Sequence, residues 1–172
     1  GYTPSNGILI LREAISEMIF SEYKANISPE NILITPGGKP TIFFSSLIFG
    51  GEGNEIIYPD PGFPIYRSMI NYSGAKAVPL KLKEKDNFEI NLENLESLIT
   101  KNTSLIIINN PNNPTGSFMN KEKIDMLVKL LEKYDKCFIL SDEIYSKIIF
   151  TENSMPSLLN YPSLKERLIV LE

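Results

Sequence analysis

The chain of 172 residues contains no histidine and a single cysteine. Without histidine, the chain cannot supply an imidazole to activate a serine or cysteine nucleophile or to bind a metal. With Cys137 alone, it can form neither an internal disulfide nor a thiolate metal cluster. We therefore expect a reducing compartment, the cytoplasm. We interpret Cys137 as a buried structural thiol, because it begins the apolar run Cys137-Phe138-Ile139-Leu140.

Long hydrophobic runs and excess positive charge are also absent. The apolar runs are too short to span a bilayer. The net charge of -4 and the pI near 5.0 argue against a nucleic acid or an anionic membrane as the main partner. Hydrophobic residues make up 42% and charged residues 22%, which indicates an ordinary globular domain. The chain begins Gly1-Tyr2-Thr3-Pro4 without an initiator methionine, so we expect this start to be a cut end.

Helical and extended patterns alternate along the chain. Hydrophobic spacing predicts helices over residues 7–26, 39–49, 63–72, 91–100 and 121–134. It predicts strands over residues 31–35, 55–58, 75–82, 104–109, 137–140 and 168–171. The first helix should be amphipathic, with Ile8, Leu11, Ile15 and Ile19 on its apolar face. The alternation predicts an α/β fold, with a mostly parallel sheet and helices on both faces.

Ligands of parallel α/β sheets bind at the carboxyl ends of the strands, and the first unusual segment falls at such an end. In Thr35-Pro36-Gly37-Gly38-Lys39-Pro40, the glycines and the following helix N-terminus suit an anion such as phosphate. An ordinary strand-to-helix turn explains the same residues. The segment is no Walker A loop, because Pro40 follows the lysine. Gly50-Gly51-Glu52-Gly53 fails as a dinucleotide fingerprint, because Ile56 takes the third glycine's place.

Two further segments follow predicted strands. Pro59-Asp60-Pro61-Gly62-Phe63-Pro64-Ile65-Tyr66 indicates a rigid turn that holds an aromatic ring, either in the core or against a flat heterocycle. The segment from Asn109 to Gly116 contains four asparagines and two prolines. These residues build a turn, and their amide groups suit hydrogen bonds to a polar ligand.

The fourth segment is Ser141-Asp142-Glu143-Ile144-Tyr145. Asp142 follows an apolar strand directly, where a carboxylate is unfavourable unless it meets a cation or several donors. Tyr145 lies three positions later and can bring its hydroxyl into the same space. A helix-capping role for Asp142 is the alternative.

In this order, the four segments resemble those of the class I and II aminotransferases, which are fold-type-I enzymes that use pyridoxal phosphate (PLP). The resemblance covers nearly the whole chain. It implies that Asp142 pairs with the pyridine nitrogen of PLP and that Asn113 and Tyr145 bind the 3-oxygen of its ring. It further implies that Phe63 stacks on the ring. The backbone of Gly37, Gly38 and Lys39 would hold the phosphate.

The resemblance also implies a homodimer. Tyr2 and Gly7 match a Tyr-x-x-x-x-Gly segment whose tyrosine reaches the phosphate bound by the neighbouring subunit in many members. A plain surface tyrosine is the alternative.

The chain departs from the family pattern in what it lacks. The lysine that forms the Schiff base with PLP follows the strand that matches residues 168–171, so we expect it beyond Glu172. None of the chain's own lysines has a matching context. The arginines that bind phosphate and substrate carboxylate are absent as well. We therefore expect residues 1–172 to be a partial PLP-binding large domain, with the N-terminal segment and the C-terminal small domain absent.

The leading hypothesis is an aminotransferase that moves an amino group from an amino acid to a 2-oxo acid, of which the isolated chain is inactive. A PLP-dependent C–S lyase or synthase shares the same cofactor residues. A catalytically dead binding module is a third interpretation, and a nucleotide-binding domain is disfavoured because both glycine fingerprints fail. These residues leave aspartate, aromatic and branched-chain amino acids open as substrates.

Overall fold

The computed structural model describes residues 1–150 and 155–172. The helices are α1 (Leu9–Tyr23), α2 (Lys39–Phe49), α3 (Ile65–Tyr72), α4 (Leu92–Leu98) and α5 (Lys121–Leu131). The strands are β1 (Glu55–Asp60), β2 (Lys76–Lys81), β3 (Thr103–Asn109), β4 (Phe138–Asp142) and β5 (Leu168–Leu171). Short 3₁₀ turns lie at Pro29–Asn31, Glu84–Asp86, Leu158–Asn160 and Pro162–Arg167.

The five strands form one sheet in the order β2-β1-β3-β4-β5, and each pair of neighbours is parallel. The burial of the central strand, β3, is typical of such a parallel sheet. Four successive residues of β3, from Leu105 to Ile108, are at most 1% exposed. Such a run can be buried only when both faces of the sheet are covered. The predicted mostly parallel α/β fold is therefore confirmed.

Helices cover both faces, each over its own apolar cluster. On one face, Ile42 of α2 and Ile70 of α3 pack with side chains of β1, β3 and β4. On the other face, Leu95 of α4 and Leu127 of α5 pack with the alternate side chains of the same strands. Cys137 belongs to this second cluster and is 3% exposed, as predicted for a structural thiol. Burial raises the pKa of its thiol.

The strand predicted over residues 31–35 is wrong. Pro29 begins a 3₁₀ turn instead, and the Ser28 hydroxyl accepts a hydrogen bond from Glu30 N–H at 3.3 Å. The backbone that follows pairs with the N-terminal segment, because Ile34 N–H donates to the Asn6 carbonyl at 3.1 Å. The apolar residues there are thus held by a neighbouring loop and not by the sheet.

Helix α1 differs from its prediction in length and in face. It ends at Tyr23, because Lys24 adopts a left-handed backbone with φ 56°. Of the four predicted apolar-face residues, only Ile19 is buried, while Ile8 and Leu11 are exposed. The buried polar residue of this helix is Arg12, which donates to the Pro29 carbonyl at 2.7 Å.

The remaining helices differ from prediction only at their ends. Helix α3 begins at Ile65, since Pro64 occupies its N-cap, and α5 ends at Leu131. Asn91 caps α4, because its side-chain oxygen accepts from Asn94 N–H at 2.8 Å. In the described part of the chain, no helix has both the length and the apolar character needed to cross a membrane.

Candidate active site at the carboxyl edge of the sheet

The ends of β3, β4 and β5 lie side by side, since Asn109 pairs with Asp142 and Asp142 pairs with Leu171. The Asn109 side chain fastens the first two ends together. Its amide nitrogen donates to the Asp142 main-chain carbonyl at 3.1 Å, and its amide oxygen accepts from Asn113 N–H at 2.7 Å. The asparagine-rich turn after β3 is therefore held against the acidic segment after β4.

Asp142 carries a carboxylate that is 3% exposed. Its Oδ2 accepts from the Tyr66 hydroxyl at 2.5 Å, and its Oδ1 accepts from Ile144 N–H at 3.4 Å. Burial raises the pKa of this carboxyl group, and the Tyr66 hydrogen bond partly offsets the rise. The residues after Asp142 form a turn, so the helix-capping alternative is not the arrangement found.

Tyr66 is a site residue that sequence reasoning missed. It is fully buried, and its ring meets the Phe63 ring edge-on with centroids 5.9 Å apart. The signal was available, because residues three apart lie on the same face of a helix and Phe63 had been assigned to the site. Burial and the neighbouring Asp142 raise the pKa of the Tyr66 hydroxyl well above its ordinary value.

Asn113 and Tyr145, which the resemblance assigns to one ring oxygen, lie within hydrogen-bond distance of each other. The Asn113 amide nitrogen lies 3.2 Å from the Tyr145 hydroxyl, although 32 positions separate the two residues in the chain. The Tyr145 side chain is about one-third exposed, so the pair faces the open side of the edge. Two hydrogen-bonding groups are thus available to one ligand oxygen.

The turn before α2 offers backbone donors. Gly37 has φ +83°, and its N–H donates to the Thr35 carbonyl at 2.9 Å, so this glycine shapes the turn. Among the described residues, the N–H groups of Gly38, Lys39 and Thr41 have no acceptor, and no side chain caps the helix. Free N–H groups at a helix start suit a phosphate.

The turn also lies close to the strand ends. A Cβ placed on Gly38 would come within 3.1 Å of the Leu171 side chain. Leu171 of β5 is the strand partner of Asp142 in β4. The free N–H groups at the start of α2 and the buried carboxylate of Asp142 therefore lie at the same edge of the sheet. Tyr2, by contrast, is fully exposed at the N-terminal end and is not among the residues brought together here.

Two further polar residues support the edge without having been predicted. The Asn112 amide nitrogen donates to the Pro61 carbonyl at 3.3 Å and to Thr115 Oγ1 at 2.9 Å, which ties the asparagine turn to the Phe63 segment. Glu143 is 2% exposed and accepts from Ser141 Oγ at 2.7 Å and from Leu158 N–H at 3.0 Å. Burial raises the pKa of the Glu143 carboxyl group.

These groups fit a flat heterocycle that carries a phosphate. The buried carboxylate suits a protonated ring nitrogen, the Asn113–Tyr145 pair suits a ring oxygen, and the start of α2 suits the phosphate. Fold and edge together define an α/β protein with a candidate site for a phosphorylated heterocycle.

The family model described as aminotransferase class I and II matches residues 1–171, so the chain belongs to that family, whose members depend on PLP. The resemblance found in the sequence is confirmed.

Individual relatives agree with this placement. The chain is 37% identical over 166 residues to the aspartate aminotransferase of Sulfolobus acidocaldarius, covering 95% of this chain and 41% of that protein. It is 39% identical over 149 residues to a probable aspartate aminotransferase of Methanocaldococcus jannaschii, covering 87% and 39%. The crystal structure of an aromatic aminotransferase from Pyrococcus horikoshii superimposes with a TM-score of 0.92 at 29% identity, covering 99% and 45%. The chain thus spans about two fifths of the length of the curated relatives.

Proposed function

We propose that this chain supplies the PLP-binding part of an aminotransferase that transfers an amino group between an amino acid and a 2-oxo acid. The observation that carries the proposal is Asp142, a buried carboxylate at a strand end that meets only neutral donors among the described residues. A cationic ring nitrogen is the partner that such a carboxylate lacks. The relatives named as aspartate aminotransferases support the reaction class.

Each remaining side chain has a role toward the same cofactor. Asp142 holds a proton on the pyridine nitrogen, and Asn113 and Tyr145 bind the ring oxygen. Phe63 packs on the ring face. When bound, PLP supplies the electron sink for the carbanion formed at the α-carbon of the substrate.

The phosphate rests on the turn before α2. The N–H groups of Gly38 and Lys39 bind it, with Gly37 fixing the shape of the turn. The exposed side chain of Lys39 has no assigned part in this contact.

The complete enzyme extends beyond this chain on both sides. Residues 1–172 form part of the PLP-binding large domain, and the N-terminal segment and the small domain complete the enzyme. The lysine that binds PLP covalently lies beyond Glu172. The length of the relatives, of which this chain covers about two fifths, supports this division.

A homodimer follows if Tyr2 reaches the phosphate of the neighbouring subunit. Its full exposure supports this role. The apolar side chains that α1 and the residue before it expose, among them Ile8, Leu9 and Ile10, offer a surface for the contact. We place the enzyme in the cytoplasm, in a biosynthetic process.

The test is cofactor binding followed by product analysis. The purified protein is titrated with PLP and the absorbance of bound PLP is recorded. The complete enzyme is then assayed with aspartate, the substrate that several relatives' names suggest, and a panel of 2-oxo acids. We expect saturable PLP binding and a new amino acid formed in step with the loss of aspartate. Retention of NAD or ATP without PLP would overturn the cofactor, and release of ammonia or a thiol would indicate a lyase.

A further inference from the structure

Tyr66 touches two of the groups assigned to the cofactor ring. Its hydroxyl donates to Asp142 Oδ2 at 2.5 Å, and its ring packs edge-on against Phe63. Its own N–H donates to the Phe63 carbonyl at 3.1 Å, so a main-chain hydrogen bond just before α3 also joins the two residues. No other side chain among the described residues donates a hydrogen bond to the Asp142 carboxylate.

The hydrogen bond matters because of the burial around it. Tyr66 has no exposed surface and Asp142 is 3% exposed, so water cannot replace the hydroxyl without rearrangement. The other contact of the carboxylate is the 3.4 Å bond from Ile144 N–H, which is long and therefore weak. A buried carboxylate with one weak donor would take up a proton readily, and a protonated Asp142 could not hold a proton on a ring nitrogen.

We propose that Tyr66 is a positioning residue that keeps the Asp142 carboxylate charged and fixed in orientation while it braces Phe63. The inference rests on the proposed function, since it gives Tyr66 a part in holding the same cofactor. Tyr66 acts on the cofactor indirectly, through its contacts with Asp142 and Phe63.

The test uses Tyr66→Phe, which keeps the ring and removes only the hydroxyl. Tyr58→Phe is the matched control, because Tyr58 is a buried tyrosine of the same apolar cluster that makes no hydrogen bond to Asp142. The titration of the Asp142 carboxyl carbon is followed by NMR in protein labelled with ¹³C-aspartate. Its signal is assigned with Asp142→Asn. PLP affinity is measured on the same proteins from absorbance.

We expect Tyr66→Phe to raise the pKa of Asp142, because the charged form loses its main donor, and to weaken PLP binding about tenfold. Tyr58→Phe should change neither quantity. An unchanged Asp142 titration in Tyr66→Phe overturns the inference, even if PLP binding weakens, because the role is then only structural. If the wild-type protein fails to bind PLP, the proposed function fails, while the Asp142 titration still decides whether Tyr66 holds the carboxylate charged.

Discussion

The two ends of the candidate site are built from different parts of the chain. The ring end consists of side chains, whose hydrogen bonds run from the buried carboxylate of Asp142 to the partly exposed pair of Asn113 and Tyr145. The phosphate end consists of backbone N–H groups at the start of α2, on an exposed turn. A side-chain site depends on the identity of each residue, whereas a backbone site depends on the conformation of the turn. Substitutions should therefore act differently at the two ends.

The largest effect is expected at the ring end, from Asp142→Ala. The ring nitrogen loses the carboxylate that pairs with it, so turnover of the complete enzyme should fall by about a thousandfold or more. Steady-state rates and the absorbance of bound PLP measure this loss. Unchanged turnover would show that Asp142 has been given the wrong role.

Tyr145→Phe should have a smaller effect at the same end. It removes one of two groups that face the ring oxygen and leaves Asn113 in place, so PLP affinity should fall about tenfold. Tyr161→Phe is the control, since its hydroxyl donates to Asp125 at 2.6 Å, in α5. It should leave PLP affinity as it is. Equal losses in the two variants would mean that tyrosine hydroxyls act through stability alone.

Gly37→Ala tests the phosphate end through conformation. A residue with a Cβ is strained at φ +83°, by about 1 kcal/mol, so PLP affinity should fall about fivefold. Gly51→Ala is a close match, with φ +99° and open space around its Cβ, but it precedes β1 at the opposite edge of the sheet. Both variants should lose a similar amount of thermal stability. If Gly51→Ala also weakens PLP binding, the effect at Gly37 is not local.

The ring end was the part most open to prediction from sequence, because its residues stand in short segments next to strongly apolar strands. Asp142 and Asn113 could be placed at strand ends from hydrophobic pattern alone, and parallel pairing then brought the ends together. Their roles toward PLP came from the family resemblance, since a polar residue at a strand end does not by itself specify a ligand.

The failures have a common physical cause, which is that local pattern does not identify the partner of a segment. Residues 31–35 have strand-like composition, but their backbone pairs with the N-terminal loop through Ile34 and Asn6. Helix α1 has helical spacing, but Ile19 is the only one of its four predicted apolar-face residues that is buried. Tyr66 lies three positions after Phe63, but its hydrogen bond to Asp142 joins residues 76 positions apart and is visible only in the fold.

The smallest effect on PLP binding is expected from Glu143→Gln. This variant distinguishes the role of Glu143 from that of the neighbouring Asp142. Glu143 contacts Ser141 and Leu158, and its Oε2 is buried without a partner among the described residues. PLP affinity should stay within about twofold of wild type, because a glutamine can keep the acceptor oxygen. Stability should change instead, in a way that depends on pH.

Burial raises the folded-state pKa of Glu143, so the favourable contribution of its neutral form is complete below the ordinary value of 4.5 and is lost as the pH rises through the raised value. Glutamine is neutral at every pH. The variant should therefore melt a few degrees above wild type at neutral pH, a gain of about 1 kcal/mol, and the gap should close on acidification. Calorimetry across pH measures the gap, with Glu13→Gln on the exposed surface of α1 as control. A difference in melting temperature that does not depend on pH would exclude charge burial as its cause. A loss of PLP binding as large as that of Asp142→Ala would show that Glu143 binds the cofactor.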